Sequence, residues 1–203
     1  MTTKRILLAS ESPRRKFLLK RLGLRFRVAP SRLDESTVRG APRARAMRLS
    51  REKARVVAAR HPGALVIAAD TVVALAGKCL GKPRSPREAR SMLAILAGRT
   101  HSVITGFTVM DAATGKSVTR AITTRVRLRP LSRREIAAYA ATREPLGKAG
   151  GYAIQGRGAG FVRDISGDFD NVVGLPIAAL ARALAEFGVH PRIPRRKPKR
   201  KPE

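Results

Sequence analysis

Two serines and two arginines stand close together in the stretch LLASESPRRKFLLKRLG, and they are Ser10, Ser12, Arg14 and Arg15. Ser12 and the proline after it predict a helix start, because serine caps helix N-termini and proline fits the first helical position. The first turn then carries both arginines. Free backbone N–H groups and guanidinium donors both favour phosphate oxygens. The segment predicts a phosphate site, and the alternative is a capped surface helix with solvated arginines.

Two carboxylates are candidates for metal binding or proton transfer. Asp70 interrupts ALVIAADTVVAL, residues 64–75, which is otherwise apolar and predicts a buried strand. A buried ionised carboxylate is costly unless it is paired, bound to a metal or open to a cleft. A site role is therefore favoured over an aspartate held by backbone amides or an arginine. Glu35, in the polar loop RLDES, could supply a second carboxylate for a divalent cation.

Three further polar residues are weaker candidates for the site. Lys53 lies in a predicted helix over 42–60, and Lys82 lies in the loop LGKPRS. Exposure is the usual state of lysine, so only a combination with Asp70 makes them site candidates. Gln155 lies in the glycine-rich GKAGGYAIQGRGAGF, where its amide could read a base edge. That segment lacks P-loop and dinucleotide-binding spacings, and its structural alternative is a turn-rich hairpin.

The elements that must position these residues alternate between period-2 and helical patterns, which predicts an α/β domain. Residues 5–9 and 64–75 are predicted strands. Further elements are expected as follows: a helix from a capping box at Ser85 and Glu88, a hairpin over 102–128 with a DAATGK turn, a short helix from Ser132 to about Ala141, and a last helix over 176–187 ended by Gly188.

Composition limits the class of protein. A chain of 203 residues with 43% hydrophobic content predicts one domain over 1–188, followed by a basic, proline-rich and disordered tail over 189–203. The single cysteine, Cys79, excludes an internal disulfide, and the three histidines lack zinc-site spacing. No long apolar stretch is evident. The expectation is a soluble cytoplasmic protein without a membrane partner.

The formal charge of +29 raises nucleic-acid binding as a competing function. Residues 188–203 carry seven Lys or Arg and one acid, which is +6 and leaves +23 on the rest of the chain. Aromatic residues make up 4% of the chain and tryptophan is absent, so no stacking platform for bases is expected. Much of the charge is interpreted as solvated surface. A basic protein that holds nucleic acid without chemistry, through its surface or its tail, stays the alternative class.

Seven sequence blocks occur in the order found in Maf-like nucleoside triphosphate pyrophosphatases: LASESPRRKFLLKRLG, REKA, AADTVV, LGKP, GRTHSVITG, GKAGGYAIQG and NVVGLP. The chain resembles this family over about residues 5–187. The resemblance implies an α/β fold with an elongated mixed β-sheet flanked by helices and a cleft between two lobes. It also implies a homodimer and a divalent cation, Mg²⁺ or Mn²⁺.

The resemblance further implies hydrolysis of dTTP and UTP, or of modified pyrimidine nucleotides, to the monophosphate and pyrophosphate. Arg14 and Arg15 match the paired arginines of the opening motif, and Asp70 matches the proton acceptor that activates water, directly or through the metal. Thr71 and Gln155 match positions of base selection. The double arginine after SP indicates the dTTP/UTP branch, whereas an aromatic residue there is typical of the branch acting on 7-methyl-GTP, which is the alternative substrate.

The same comparison gives roles to the remaining candidates. Glu35 would share the metal with Asp70, while Lys53 and Lys82 would meet charge that develops on the phosphates, with Ser10 on the substrate side. The chain departs from the family at Ser166, in ISGDF, where an acidic IEG is usual. Neighbouring aspartates, Asp168 or Asp170, could replace that acidic contact. Residues 188–203 have no counterpart in the family.

Overall fold

The computed structural model describes residues 4–35 and 38–192. Within these ranges seven strands form one mixed sheet with helices on both faces. The strands are β1 (Ile6–Leu8), β2 (Phe26–Val28), β3 (Leu65–Leu75), β4 (Lys78–Leu80), β5 (Thr100–Asp111), β6 (Ser117–Leu128) and β7 (Val162–Ser166). The helices are α1 (Pro13–Lys20), α2 (Pro42–Arg60), α3 (Pro86–Leu96), α4 (Arg133–Ala141), α5 (Phe169–Val173) and α6 (Ile177–Ala185). Two 3₁₀ helices span Ala149–Gly151 and Arg157–Phe161.

The sheet has the order β2-β1-β3-β5-β6-β7, with β4 paired to β3 off this path. Strand β1 is parallel to both β2 and β3, and the other pairs are antiparallel. The amide of Ala9 donates to the carbonyl of Ile67 at 2.8 Å, and β3 then extends beyond the end of β1 while staying paired with β5. Asp70 therefore stands at the carboxyl end of β1, next to the turn that carries Ser10.

Four apolar clusters in the described ranges hold the helices on the sheet. Helices α1 and α6 bury Leu19 and Leu184 against one face, and α2 buries Val57 against the other. A third cluster, with Leu93 and Tyr139, lies where α3 and α4 cover the far ends of the long strands. The α/β fold with an elongated mixed sheet and two lobes is thereby confirmed. No helix in the described ranges is both long and apolar enough to cross a membrane.

Most predicted elements are confirmed, with two differences. Helix α2 has the predicted bounds, and Ser132 forms the predicted capping box with Glu135. At the start of α3 the Ser85 hydroxyl accepts from the amide of Glu88, as predicted. The reciprocal bond of the capping box is wrong, because the Glu88 carboxylate accepts from the amide of Arg84 rather than from that of Ser85. The hairpin interpretation of the glycine-rich segment is also wrong: two 3₁₀ helices occupy it.

The predicted tail lies mostly beyond the residues that the structure describes. Val189 packs against the cluster formed by α1 and α6, and its amide donates to the carbonyl of Leu184 at 3.1 Å. Residues 193–203 lie outside the described residues, so the predicted disorder of the tail stays a prediction.

Gly106 on β5 sets how closely α2 approaches the sheet. A Cβ at this position would lie 2.3 Å from the carbonyl oxygen of Ala46 on α2. We expect G106A to push the helix off the sheet and lower the free energy of unfolding by about 3 kcal/mol, measured by urea denaturation. Gly160, where a Cβ meets nothing within 4 Å, is the matched control. Equal stability losses in G106A and G160A would contradict this account of α2 packing.

Candidate active site

The turn between β1 and α1 has the predicted cap. The Ser12 hydroxyl accepts from the amide of Arg15 at 3.4 Å, and the Ser10 hydroxyl accepts from the amide of Ser12 at 3.3 Å. Pro13 occupies the first helical position, where its missing N–H leaves no bond unmade. The turn thus presents the start of α1, with Arg14 and Arg15, to a cleft that Asp70 also lines.

Arg15 ties three parts of the fold together at the edge of the cleft. Its Nε donates to the carbonyl oxygen of Gly174 at 2.9 Å, its Nη1 to the Ser10 hydroxyl at 3.3 Å, and its Nη2 to the Thr71 hydroxyl at 3.2 Å. The Thr71 hydroxyl is also 2.9 Å from that of Thr105 on β5. Arg15 therefore holds a fixed orientation before any ligand binds.

The two arginines differ in what they offer. Burial lowers the pKa of Arg15, against the opposing influence of Asp70 and Glu35, but a guanidinium stays charged in proteins. Arg14 also lines the cleft, and no side chain in the described ranges forms an ion pair or hydrogen bond with it. Its donors are therefore available to an anionic ligand.

A chain of alternating charges runs along one wall of the cleft. The Lys53 ammonium lies 2.7 Å from Asp70 Oδ1 and 2.6 Å from Glu35 Oε1. The Lys82 ammonium lies 2.6 Å from the other Glu35 oxygen, Oε2. Asp70 is 4% exposed and Lys53 is 6% exposed, so both groups are buried, and Asp70 reaches the cleft surface. The expectation that lysine is exposed is thus wrong for Lys53.

The close approach of α2 to the sheet explains why Lys53 is buried. Ala46 and Lys53 are seven residues apart and share one face of α2. Ala46 packs on Gly106, which is the register partner of Asp70 across β3 and β5. Lys53, two helical turns further along, then reaches the carboxylate.

The charge chain keeps Glu35 ionised. Burial favours its neutral form, but the ammonium groups of Lys53 and Lys82 outweigh burial and lower the pKa of Glu35 from 4.5 to about 2. In the described ranges, no group of three or more His, Cys, Asp or Glu could hold a metal ion. Two carboxylates still suit Mg²⁺, which commonly takes one or two protein carboxylates and completes its shell with phosphate oxygens and water. Glu35 and Asp70 are therefore suitable ligands for a cation that arrives with a polyphosphate, and such a cation would replace lysine contacts at Glu35, whose two oxygens are held by Lys53 and Lys82.

The cleft has a charged end and an apolar end. Among the predicted residues, the following line it: Arg14, Arg15, Glu35, Asp70, Thr71 and Lys82. Ser10 and Lys53 lie directly behind them and contact Arg15 and Asp70 respectively. Val73, Val103 and Ile154 line the other end. Gln155 follows Ile154 but is exposed and lies outside this lining, so the structure does not bring it together with the rest.

Lys148 is a cleft residue that the sequence interpretation missed. It lines the cleft, and its ammonium donates to the carbonyl of Glu144. Burial and the nearby charge of Arg14 lower the pKa of Lys148. The lysine in GKAGG is a signal for a phosphate contact, but the glycines around it indicate only an unusual backbone conformation.

The acidic residues near Ser166 have other partners. Asp168 caps α5 by accepting from the amides of Asp170 and Asn171, at 2.8 and 3.4 Å. Asp170 pairs with Arg21 at 2.8 Å. Neither carboxylate lines the cleft, so the expected replacement of the family's acidic contact is not seen there.

His101 lies behind the cleft, where its Nε2 is 2.7 Å from the hydroxyl of Tyr152. Burial lowers the pKa of His101 from 6.5 to about 4. Between these pH values the unfolded chain binds a proton that the folded protein does not, so stability should fall as pH falls, by up to about 3 kcal/mol. We expect H101Q to flatten the dependence of the free energy of unfolding on pH between 6.5 and 4. The control H61Q should keep the wild-type dependence on pH. If H101Q keeps it too, the predicted contribution of His101 is contradicted.

Comparison with known proteins shows the family of this chain. The family model described as Maf-like protein matches residues 5–187. A dTTP/UTP pyrophosphatase of Moorella thermoacetica is 52% identical and covers 91% of this chain and 96% of that protein. Proteins of the same description from Pelotomaculum thermopropionicum and Syntrophus aciditrophicus are 50% and 46% identical, over 91% and 93% of this chain and 97% and 92% of theirs. The chain belongs to the Maf-like protein family.

Proposed function

We propose that this protein hydrolyses dTTP and UTP to the nucleoside monophosphate and pyrophosphate. The observation that carries the proposal is the buried Asp70 beside a cleft that also holds Arg14, Arg15 and Lys82. A carboxylate able to take a proton and cations able to meet phosphate charge are the parts that such hydrolysis needs. The relatives described as dTTP/UTP pyrophosphatases support the choice of substrate.

Asp70 acts as the proton acceptor in the proposed reaction. Its Oδ1 is held by Lys53, and no described residue donates a hydrogen bond to its Oδ2. Water gives a proton to Asp70 as its oxygen forms a bond to the α-phosphorus. The bond from the α-phosphorus to the bridging oxygen breaks, and pyrophosphate leaves with that electron pair. Lys53 fixes the orientation of the carboxylate by donating to its Oδ1 at 2.7 Å.

The cations of the cleft stabilise charge on the phosphates. Arg14 and Arg15 offer guanidinium donors at the start of α1, and Lys82 offers an ammonium across the cleft. Glu35 and Asp70 would hold the divalent cation, which supplies charge neutralisation on the nucleotide phosphates when it is bound. Ser10 orients Arg15 by accepting from its Nη1 at 3.3 Å.

The apolar end of the cleft is the proposed base site. Val73 and Val103 are nearly buried beneath this end of the cleft, and the half-buried Ile154 offers apolar surface on which a base can pack. Thr71 stands between this surface and Arg15, and Gln155 follows Ile154. We assign base selection to Thr71 and Gln155, with the Gln155 amide turning toward the cleft when the nucleotide binds.

Lys148 adds a phosphate contact from the lobe opposite α1. We expect K148M to raise KM for dTTP about tenfold with a smaller change in kcat, because the lost charge contacts the phosphates in the ground state and transition state alike. Steady-state kinetics at saturating Mg²⁺ would measure this. The exposed Lys78 on β4 is the matched control for loss of one charge. An unchanged KM in K148M would remove Lys148 from the site.

The test of the proposal is product analysis with dTTP, UTP, CTP, 7-methyl-GTP and dATP in the presence of Mg²⁺. We expect monophosphate and pyrophosphate from dTTP and UTP, at a kcat/KM well above that of the other nucleotides. The same products from 7-methyl-GTP alone would keep the reaction and overturn the substrate. Release of orthophosphate, or no turnover by the folded protein, would overturn the reaction.

Two further expectations belong to this proposal. The enzyme is expected to work in the cytoplasm, where its nucleotide substrates are made, and to form a homodimer. Light scattering on the purified protein tests the second expectation: twice the chain mass of 22.0 kDa supports it, and the mass of one chain contradicts it.

A further inference from the structure

The segment Ala153–Gly158, which carries Gln155, is tied at both ends to one tyrosine–glutamate pair. At its start, the amide of Ala153 donates to the Tyr139 hydroxyl at 3.0 Å. That hydroxyl donates to Glu144 Oε1 at 2.9 Å. At its end, the amide of Gly158 donates to Glu144 Oε1 and the amide of Arg157 to Glu144 Oε2, both at 3.3 Å. One carboxylate thus closes the loop around Gln155.

Two glycines show how tightly the segment wraps this carboxylate. A Cβ at Gly156 would lie 2.7 Å from Glu144 Oε1, and Gly156 has a φ of +153°. A Cβ at Gly158 would lie 2.8 Å from both the Tyr139 hydroxyl and the carbonyl oxygen of Ala153. The backbone can follow this path only without side chains at these positions.

The residues around the pair hold it in place. Tyr139 is 4% exposed, and its ring packs edge-on against Phe161 with centroids 4.9 Å apart. The residue before Glu144, Arg143, has a φ of 60°, which is a strained conformation for a residue other than glycine. The chain accepts this strain at the turn that presents Glu144 to the loop.

The loop meets the cleft on the side of the proposed base site. Ala153 and Ile154 line the cleft, and Lys148 reaches it from the same stretch while donating to the Glu144 carbonyl. Any movement of the Glu144 carboxylate would therefore shift the apolar wall and the residue that follows it, Gln155.

We propose that Glu144 is a positioning residue for nucleotide base selection, acting through the segment Ala153–Gly158 and without touching the nucleotide. This rests on the proposed function, since it assumes that the base packs on Ile154 near Gln155. The carboxylate fixes the distance between the apolar wall and Thr71, and so decides which bases fit between them. The Glu144 carboxylate forms no hydrogen bond with Asp70, Arg14 or Arg15, and E144Q leaves the carbonyl that holds Lys148 unchanged.

The variants E144Q and Y139F test this assignment. A glutamine has one acceptor oxygen in place of two, so E144Q puts an NH₂ donor against the Arg157 amide and loses that bond. Phenylalanine keeps the ring packing of Tyr139 but removes the bridging hydroxyl. In both we expect KM for dTTP to rise about tenfold and the ratio of kcat/KM for dTTP over dATP to fall about tenfold, with kcat for dTTP changed less than about threefold. E144D should restore part of the ratio.

The matched control is E135Q on α4, the helix that carries Tyr139. Glu135 accepts from the amide and hydroxyl of Ser132 and pairs with Arg129 at 2.6 Å, outside the cleft. Its loss should lower thermal stability and leave the dTTP/dATP ratio unchanged. An unchanged ratio in E144Q, or a fall in kcat alone, would overturn the role of Glu144 in base selection.

Amide hydrogen exchange separates this inference from the proposed function. In E144Q, the amides of Ala153, Arg157 and Gly158 should exchange at least about tenfold faster than in the wild type, whatever nucleotide the protein accepts. Unchanged protection would overturn the positioning role. Faster exchange in a protein whose wild type does not hydrolyse dTTP would overturn the proposed substrate and leave Glu144 as the residue that orders this loop.

Discussion

D70N is expected to lower kcat for dTTP by about 10³-fold, while the protein stays folded. Asparagine has nearly the shape of aspartate and its Oδ1 can still accept from Lys53, so the packing between α2 and the sheet is retained. The amide cannot take a proton from water, and the negative charge that would share a metal with Glu35 is lost. Single-turnover kinetics at saturating dTTP and Mg²⁺ would measure the effect.

Asp111 provides the control for this substitution. It is 3% exposed and pairs with Lys4, at the end of β5 remote from Gly106 and Asp70. D111N removes a buried, ion-paired carboxylate in the same sheet, and we expect its kcat to stay within about threefold of the wild type. A D70N protein that hydrolyses dTTP as fast as D111N would exclude Asp70 as the proton acceptor.

K53M is expected to cost about 3–5 kcal/mol of folding free energy, because it leaves the buried Asp70 carboxylate beside Glu35 without the cation between them. Methionine fills a similar volume, so the loss reflects charge rather than packing. Urea denaturation without metal would measure it. K82M is the control: Lys82 pairs with Glu35 at the half-exposed edge of the cleft, and its loss should cost less than about 1 kcal/mol.

The double variant K53M/D70N separates charge from packing. Removing the uncompensated carboxylate should recover most of the stability lost in K53M, so the two changes should be strongly non-additive. Activity should not recover, because the proton acceptor is gone. Additive stability losses in the double variant would show that Lys53 and Asp70 stabilise the fold independently.

The sequence predicts the elements whose local signals agree with their tertiary setting. Helix α2 shows a long periodic pattern between a proline and HPG, and α1 begins at a serine–proline cap. Strands β2, β4 and β7 are three to five residues long and partly exposed, so they show neither a period nor the apolar run that predicts the equally short β1, and they were not predicted. Asp70 was predicted as a site residue because a carboxylate in an apolar strand requires a partner, whatever the fold.

Contacts between distant parts of the chain could not be predicted from the sequence. The burial of Lys53 depends on Ala46 meeting Gly106, which lies 60 residues away along the chain. Glu144 was missed because two of its three hydrogen-bond donors are the backbone amides of Arg157 and Gly158, and amides leave no signal in the sequence. The same bonds explain why GKAGGYAIQGRGAGF folds around a carboxylate and not as a hairpin.

Hydrolysis in water enriched in oxygen-18 tests the proposed reaction most directly. Attack of water on the α-phosphorus places the label in the monophosphate, and mass spectrometry of the products from dTTP and Mg²⁺ would detect it. We expect one labelled oxygen in dTMP and none in pyrophosphate. Label in pyrophosphate would mean attack at the β-phosphorus, and would contradict a mechanism in which Asp70 directs water to the α-phosphorus.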